Sequence, residues 1–137
     1  MKRHVVATRA EVDRAGRKLV EADGKPIALF RLGGEYFAIL DRCPHLGGSL
    51  SAGMQVGLIE ADEPGAVTMS RPGEFVRCPW HGWEFDIRSG KSYCDPERFK
   101  ARDFAVHCLT GRELAEGPYV AETFKVEVEG DYIVIET

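Results

Sequence analysis

Two short Cys/His pairs restrict this chain more than anything else in it. The first is Cys43-Pro44-His45, followed by Leu46-Gly47-Gly48; the second is Cys78-Pro79-Trp80-His81, followed by Gly82-Trp83. Proline and glycine mark both stretches as tight turns, so each pair presents one thiol and one imidazole from a bend. Zinc accepts two thiolates and two imidazoles in a tetrahedron, but its usual spacing groups the cysteines in one pair and the histidines in the other. Here both pairs are mixed. That pattern suits a two-iron cluster, with Cys43 and Cys78 on one iron and His45 and His81 on the other. A structural zinc module used for protein binding is the alternative from another class; colour, iron and acid-labile sulfide separate the two.

Both loops resemble, residue by residue, those of Rieske proteins, which read C-x-H and C-x-x-H and bind a [2Fe–2S] cluster. A softer likeness runs from about Lys18 to the C-terminal strands. The resemblance implies one Rieske-type [2Fe–2S] cluster per chain, with Cys43, His45, Cys78 and His81 as ligands. It implies an all-β fold: a Rieske-like antiparallel β-sandwich base with an inserted cluster-binding subdomain. The chain resembles the ferredoxin component of bacterial ring-hydroxylating dioxygenases. That likeness implies a one-electron carrier between a flavin-dependent reductase and a terminal oxygenase. A second reading within the resemblance is the small Rieske subunit of an assimilatory nitrite reductase. Oxygenases of this kind add a mononuclear iron on two histidines and a carboxylate. After the four ligands only His4 and His107 remain, so the expectation is a carrier and not an enzyme by itself.

The same resemblance assigns roles around the loops. In Rieske proteins the outer nitrogens of the ligand histidines lie near solvent, so His45 and His81 would also be the electron's exit. Leu46, Trp80 and Gly82 would form a partly apolar docking face around them. Pro44, Gly47, Gly48, Pro79 and Gly82 are ordinary turn formers that also let backbone N–H groups approach the cluster sulfurs. Trp80 and Trp83 read as packing that limits water access. High-potential Rieske proteins add a disulfide between the loops, at the positions of Gly47 and Trp80 here. They also add a Ser and a Tyr hydroxyl to the sulfurs, where this chain has Trp83 and Phe85. Neither feature can be built here, which implies a low reduction potential.

Length and charge narrow the setting. With 137 residues there is chain for one domain over 1–137 and one core. A formal charge of −4 offers no basic stripe for phosphates, which argues against nucleic acid. The apolar run after Met1-Lys2-Arg3 is too short for a signal peptide, and no stretch is long enough to span a bilayer. The expectation is a cytoplasmic protein with no membrane contact. In that compartment Cys94 and Cys108 are expected as small buried thiols, with a disulfide between them as the less favoured possibility.

Along the chain, Thr8-Arg9-Ala10-Glu11 fits a capping box, and Gly16 ends the short helix that follows. Strands are expected at Arg17–Glu21, Pro26–Leu32 and Glu35–Leu40, with turns at Asp23-Gly24 and Gly33-Gly34. The cluster subdomain is placed at about 41–95. Between the ligand pairs lie residues 46–77, longer than soluble ferredoxins of this type usually have. The extra chain is read as a surface hairpin insertion at about 55–73, with turn signals at Gly57, Pro64-Gly65 and Pro72-Gly73 and a possible strand at Ala66–Ser70. Strands at Glu74–Arg77 and Trp83–Ile87 flank the second loop, and Ser89-Gly90 closes the hairpin. Asp95–Asp103 is read as a solvated connection and Gly111–Pro118 as a loop. Thr123–Val128 and Tyr132–Glu136 read as a final β-hairpin around Gly130-Asp131. Strands from both termini are expected to meet in the base.

Overall fold

The computed structural model describes residues 3–43, 48–63, 65–79, 82–93, 96–97, 99–116 and 130–137, with backbone only at 58–63, 66–70 and 115–116. Strand β1 (Arg3–Thr8) runs straight into helix α1 (Arg9–Ala15). Thr8 caps it: the Glu11 amide donates to Thr8 Oγ1 at 3.2 Å, and the Thr8 hydroxyl donates to the Glu11 carboxylate at 3.1 Å. Gly16 ends the helix in the left-handed region, φ +79°, and its amide donates to the Val12 carbonyl. Val12 is fully buried and plugs the base core.

Next come β2 (Arg17–Ala22), β3 (Lys25–Leu32) and β4 (Glu35–Leu40), an antiparallel meander. Asp23 and Gly24 both take positive φ, +54° and +72°, the geometry that lets a two-residue turn follow the strands' twist. After a 3₁₀ turn at Leu50–Ala52 follow β5 (Met54–Glu63), β6 (Ala66–Arg77) and β7 (Glu84–Asp86). The chain returns through β8 (Asp103–Phe104), β9 (Val106–Thr110), helix α2 (Gly111–Glu116) and β10 (Asp131–Glu136).

Three antiparallel sheets result, in the orders β1-β10-β9, β2-β3-β4-β8 and β5-β6-β7. The four-stranded sheet is the middle layer, which explains the unbroken apolar run Ile27-Ala28-Leu29-Phe30 on β3, all four fully buried. Alternate residues of a strand face opposite sides. Ile27, Leu29 and Ala38 pack with Ala7, Ile133 and Ile135 of the first sheet. Ala28, Phe30 and Ile39 face the other way and pack with Val76, Phe85 and both cysteines of the candidate site. A strand buried on both faces reads as continuous rather than alternating apolar sequence.

Four expectations change. Pro72-Gly73 is not a turn between strands: β6 is continuous from Ala66 to Arg77, with an irregularity where Ser70 pairs Leu58 and Phe75 pairs Val56. Arg71 and Gly73 absorb it with φ of +49° and +74°. Gly57 lies at the matching register shift on β5. The segment before β8 is not a free solvated connection: Ala101 is buried, Lys91 bridges Lys100, and the Ser92 amide donates to the Phe99 carbonyl at 3.0 Å. Gly111–Glu116 is helix rather than loop, because Thr110 and Glu113 form a second capping box. Finally, both edges of β10 are taken, by β1 and β9, so the expected closing hairpin is replaced by a strand between two distant partners. Thr123–Val128 lies outside the described residues. Among the described residues no helix is long and apolar enough to cross a membrane.

Candidate metal centre

Cys43 follows the end of β4 and Cys78 follows β6. Each is 2% exposed, and both belong to the core cluster built on Phe30, Ile39 and Phe85. The fold therefore brings the two predicted thiol ligands, far apart in sequence, into one apolar layer. His45 and His81, with Pro44, Leu46, Gly47 and Trp80, lie outside the described residues. Among the described residues no group of three or more His, Cys, Asp or Glu could hold a metal ion.

The two loops are closed at their bases in the same way. The Cys43 amide donates to the Gly48 carbonyl at 2.7 Å, and the Cys78 amide donates to the Trp83 carbonyl at 2.7 Å. Inside the second loop Gly82 takes φ +72° and returns its amide to the Cys78 carbonyl at 3.0 Å. Gly82 is thus used as a turn former in the expected manner. Trp83 is half-buried against the same core and meets Phe99 edge-on, ring centroids 4.9 Å apart. Phe85, one of the two positions where a hydroxyl would be needed to raise the potential, is fully buried.

Gly53 holds the two loops beside each other. A Cβ there would lie 2.1 Å from the Arg77 carbonyl oxygen, so only glycine lets the tail of the first loop touch the residue before Cys78. Arg17 of β2 donates to the Gly53 carbonyl from the far side. On the first loop Asp41 accepts from the Ser49 hydroxyl at 2.7 Å and from the Ser51 amide at 2.5 Å. Sequence reasoning singled out neither serine and treated Asp41 only as a step into the loop. The signal was there: Asp and Ser beside a Gly-Gly turn commonly bond the backbone a few residues on.

Behind the second loop an ion network pins the irregular stretch of β6. Arg71 reaches Asp86 at 2.8 Å and Glu74 at 3.1 Å, and Arg88 reaches Glu74 at 2.8 Å. Hydrogen bonds from Arg88 and then Arg71 hold the Glu74 carboxyl below the usual carboxylate range. The other histidines serve the base: His107 Nε2 lies 3.1 Å from Glu136 Oε1, and His4 Nε2 lies 3.1 Å from Thr137 Oγ1.

Cys43, Cys78 and Cys108 are thiols and not disulfides. Cys108 corrects the expectation of a buried thiol, since it is exposed at the surface. Neighbouring protein still removes enough water to push its pKa up; Arg9 opposes this, while Asp131, Asp13 and Glu113 add to it. It therefore stays protonated and a weak nucleophile. Cys94 lies outside the described residues.

The Rieske [2Fe-2S] domain matches residues 2–108. The chain belongs to this family. Its cofactor is accordingly a Rieske-type [2Fe–2S] cluster, and the structural zinc alternative falls with that assignment. Two buried thiols, each at the head of a closed turn and sharing one core, suit the soft-donor end of such a cluster. The 3-phenylpropionate/cinnamic acid dioxygenase ferredoxin subunit of Escherichia coli (strain K12) is 36% identical over 85 residues, 62% of this Rieske chain and 66% of the relative. The match thus spans just under two thirds of that relative's length.

Among solved structures, the ferredoxin of carbazole 1,9a-dioxygenase from Nocardioides aromaticivorans IC177 superposes with a TM-score of 0.58 and 19% identity. That match covers 97% of each chain. The terminal oxygenase of carbazole 1,9a-dioxygenase from Novosphingobium sp. KA1 gives a TM-score of 0.60 at 20% identity, over 98% of the Rieske chain but 29% of the oxygenase. At these identities the likeness is one of fold. The same Rieske fold stands as a nearly whole ferredoxin in one case and as part of a larger chain in the other.

Proposed function

We propose that this Rieske protein is a one-electron carrier whose cluster is held by Cys43 and Cys78 on one iron and by His45 and His81 on the other. The observation that carries the reading is the pair of buried cysteines, 2% exposed each in a single core, both heading loops closed by the same amide-to-carbonyl bond. When bound, the cluster supplies a one-electron couple. The chain's own residues do the rest. The cysteines anchor the cluster to the rigid middle layer. Phe30, Phe85 and Trp83 keep bulk water from that side. His45 and His81 would hold the other iron through neutral imidazoles in place of thiolates, which would lower the negative charge at that end of the cluster.

The chain would take electrons from a flavin-dependent reductase and pass them to a terminal oxygenase, in the cytoplasm, with residues about 41–95 as the cluster-binding subdomain. His45, His81 and Leu46 would form the exit and docking face. The 36% identity to a dioxygenase ferredoxin subunit supports this, as does the match to a ferredoxin over 97% of its length. Anaerobic purification should give stoichiometric iron and acid-labile sulfide. Stopped-flow reduction by the cognate reductase should then be slowed in Leu46→Glu with the visible spectrum unchanged. A colourless protein without iron would overturn the ligand assignment, and equal rates would move the docking face elsewhere.

A further inference from the structure

Asp41 is 8% exposed and is the one buried charged side chain among the described residues. A carboxylate taken out of water is unfavourable unless it is paired or well hydrogen-bonded. Among the described residues no cation pairs with Asp41; its partners are the Ser49 hydroxyl and the Ser51 amide. These partners lie beyond the first loop, whereas Asp41 precedes it. The carboxylate therefore straddles the Cys43–Gly48 closure and ties the strand entering the loop to the 3₁₀ turn leaving it. Its own amide is fixed to the Pro26 carbonyl on β3 at 2.9 Å, so the clamp is referred to the middle sheet.

We propose that Asp41 is a positioning residue for the cluster: it holds the first ligand loop closed, and its negative charge, paired with no cation among the described residues and two residues before Cys43 in the chain, lowers the reduction potential. This rests on the assignment of Cys43 as a ligand. Reduction adds an electron to a site that already faces a fixed anion. In a medium less polarisable than water that repulsion favours the oxidised form. Ser49 and Ser51 donate to different oxygens of the carboxylate, Oδ2 and Oδ1, a pair of acceptors that a neutral amide side chain does not offer.

The test compares Asp41→Asn with wild type by protein-film voltammetry, together with iron and sulfide analysis. Asparagine removes the charge while its Oδ1 still accepts from the Ser51 amide and its Nδ2 donates to the Ser49 hydroxyl oxygen, reversing that one bond. The expected result is a loaded cluster whose midpoint moves upward, with the reduced-to-oxidised ratio at the wild-type midpoint raised roughly tenfold. A loaded variant with an unchanged or lower midpoint overturns the inference while leaving the ligand assignment standing. Should Asp41→Asn fail to load, Ser49→Ala decides. It leaves the carboxylate in place with one donor fewer, so the midpoint should fall; an unchanged or higher value overturns the proposal. Hydrogen exchange of the segment 42–53 reads the clamp separately. Asp41→Ala should lose protection there, and unchanged protection would also overturn it. Wild-type protein without iron and sulfide would defeat the ligand assignment and this inference together.

Discussion

The Cys78 amide donates to the Trp83 carbonyl at 2.7 Å, so the side chain expected to ligate iron and the aromatic that shields it are fixed by one backbone bond. Cys43 and Gly48 repeat the arrangement on the other loop. Rigid placement of both thiols in a dry core is what a cluster ligand needs, and a serine hydroxyl cannot replace the thiolate. Cys43→Ser or Cys78→Ser should abolish cluster assembly, read as loss of iron, sulfide and visible absorbance after anaerobic purification. Cys108→Ser, at an exposed position on β9, should leave the spectrum unchanged.

The midpoint potential should lie toward the low end of the Rieske range of about −150 to +300 mV. Trp83 and Phe85 offer no hydroxyl to the sulfurs, and Phe85 is fully buried in the same core as both cysteines. Phe85→Tyr with Trp83→Ser should raise the potential, provided the core accepts the change in shape. A wild-type midpoint near +300 mV would contradict the argument.

Gly90 takes φ +78°, and a Cβ there would lie 2.0 Å from the Ala101 carbonyl oxygen. Its amide bonds Asp86, and its carbonyl accepts from Ala101, so this glycine joins the β7 turn to the returning chain. Gly90→Ala combines left-handed strain with a backbone collision and should cost about 3 kcal/mol. Thermal unfolding followed by circular dichroism should show a Tm lower by roughly 10 °C.

Acid should weaken the region behind the second loop. Glu74 is held below the usual carboxylate range by Arg88 and Arg71, and Glu136 by Arg3. A depressed folded-state pKa contributes stability that is complete above the unfolded value, about 4.3 for Glu, and is lost as pH falls through the folded value. Urea midpoints should therefore drop below about pH 4.5. Glu74→Gln should lower the midpoint at neutral pH and flatten that acid decline; an acid limb identical to wild type would remove Glu74 as its cause.

Local chemistry made much of this protein legible before folding is considered. The Thr8–Glu11 box, Gly16, Asp23-Gly24 and Gly33 act within a few residues of chain, and helix α1 and the β2–β4 meander follow from them. The Cys/His spacing pointed to the cofactor for the same reason: each pair belongs to one turn. The second capping box, Thr110 to Glu113, carried an equally local signal that predicts α2.

Tertiary structure alone decided what depends on partners distant in sequence. Tyr132–Glu136 has the alternation of a hairpin strand, yet β10 sits between β1 and β9, because burying Ile133 and Ile135 against the middle sheet requires a central place. Pro72-Gly73 looks like a turn, yet pairing of β6 with β5 on both sides of it makes it a strand irregularity. Asp41 looks like any loop acid, and only the closed first loop, with Ser49 and Ser51 brought back onto it, turns it into a buried charge. Turn chemistry is written in adjacent residues, whereas burial is a property of what the rest of the chain places on top of them.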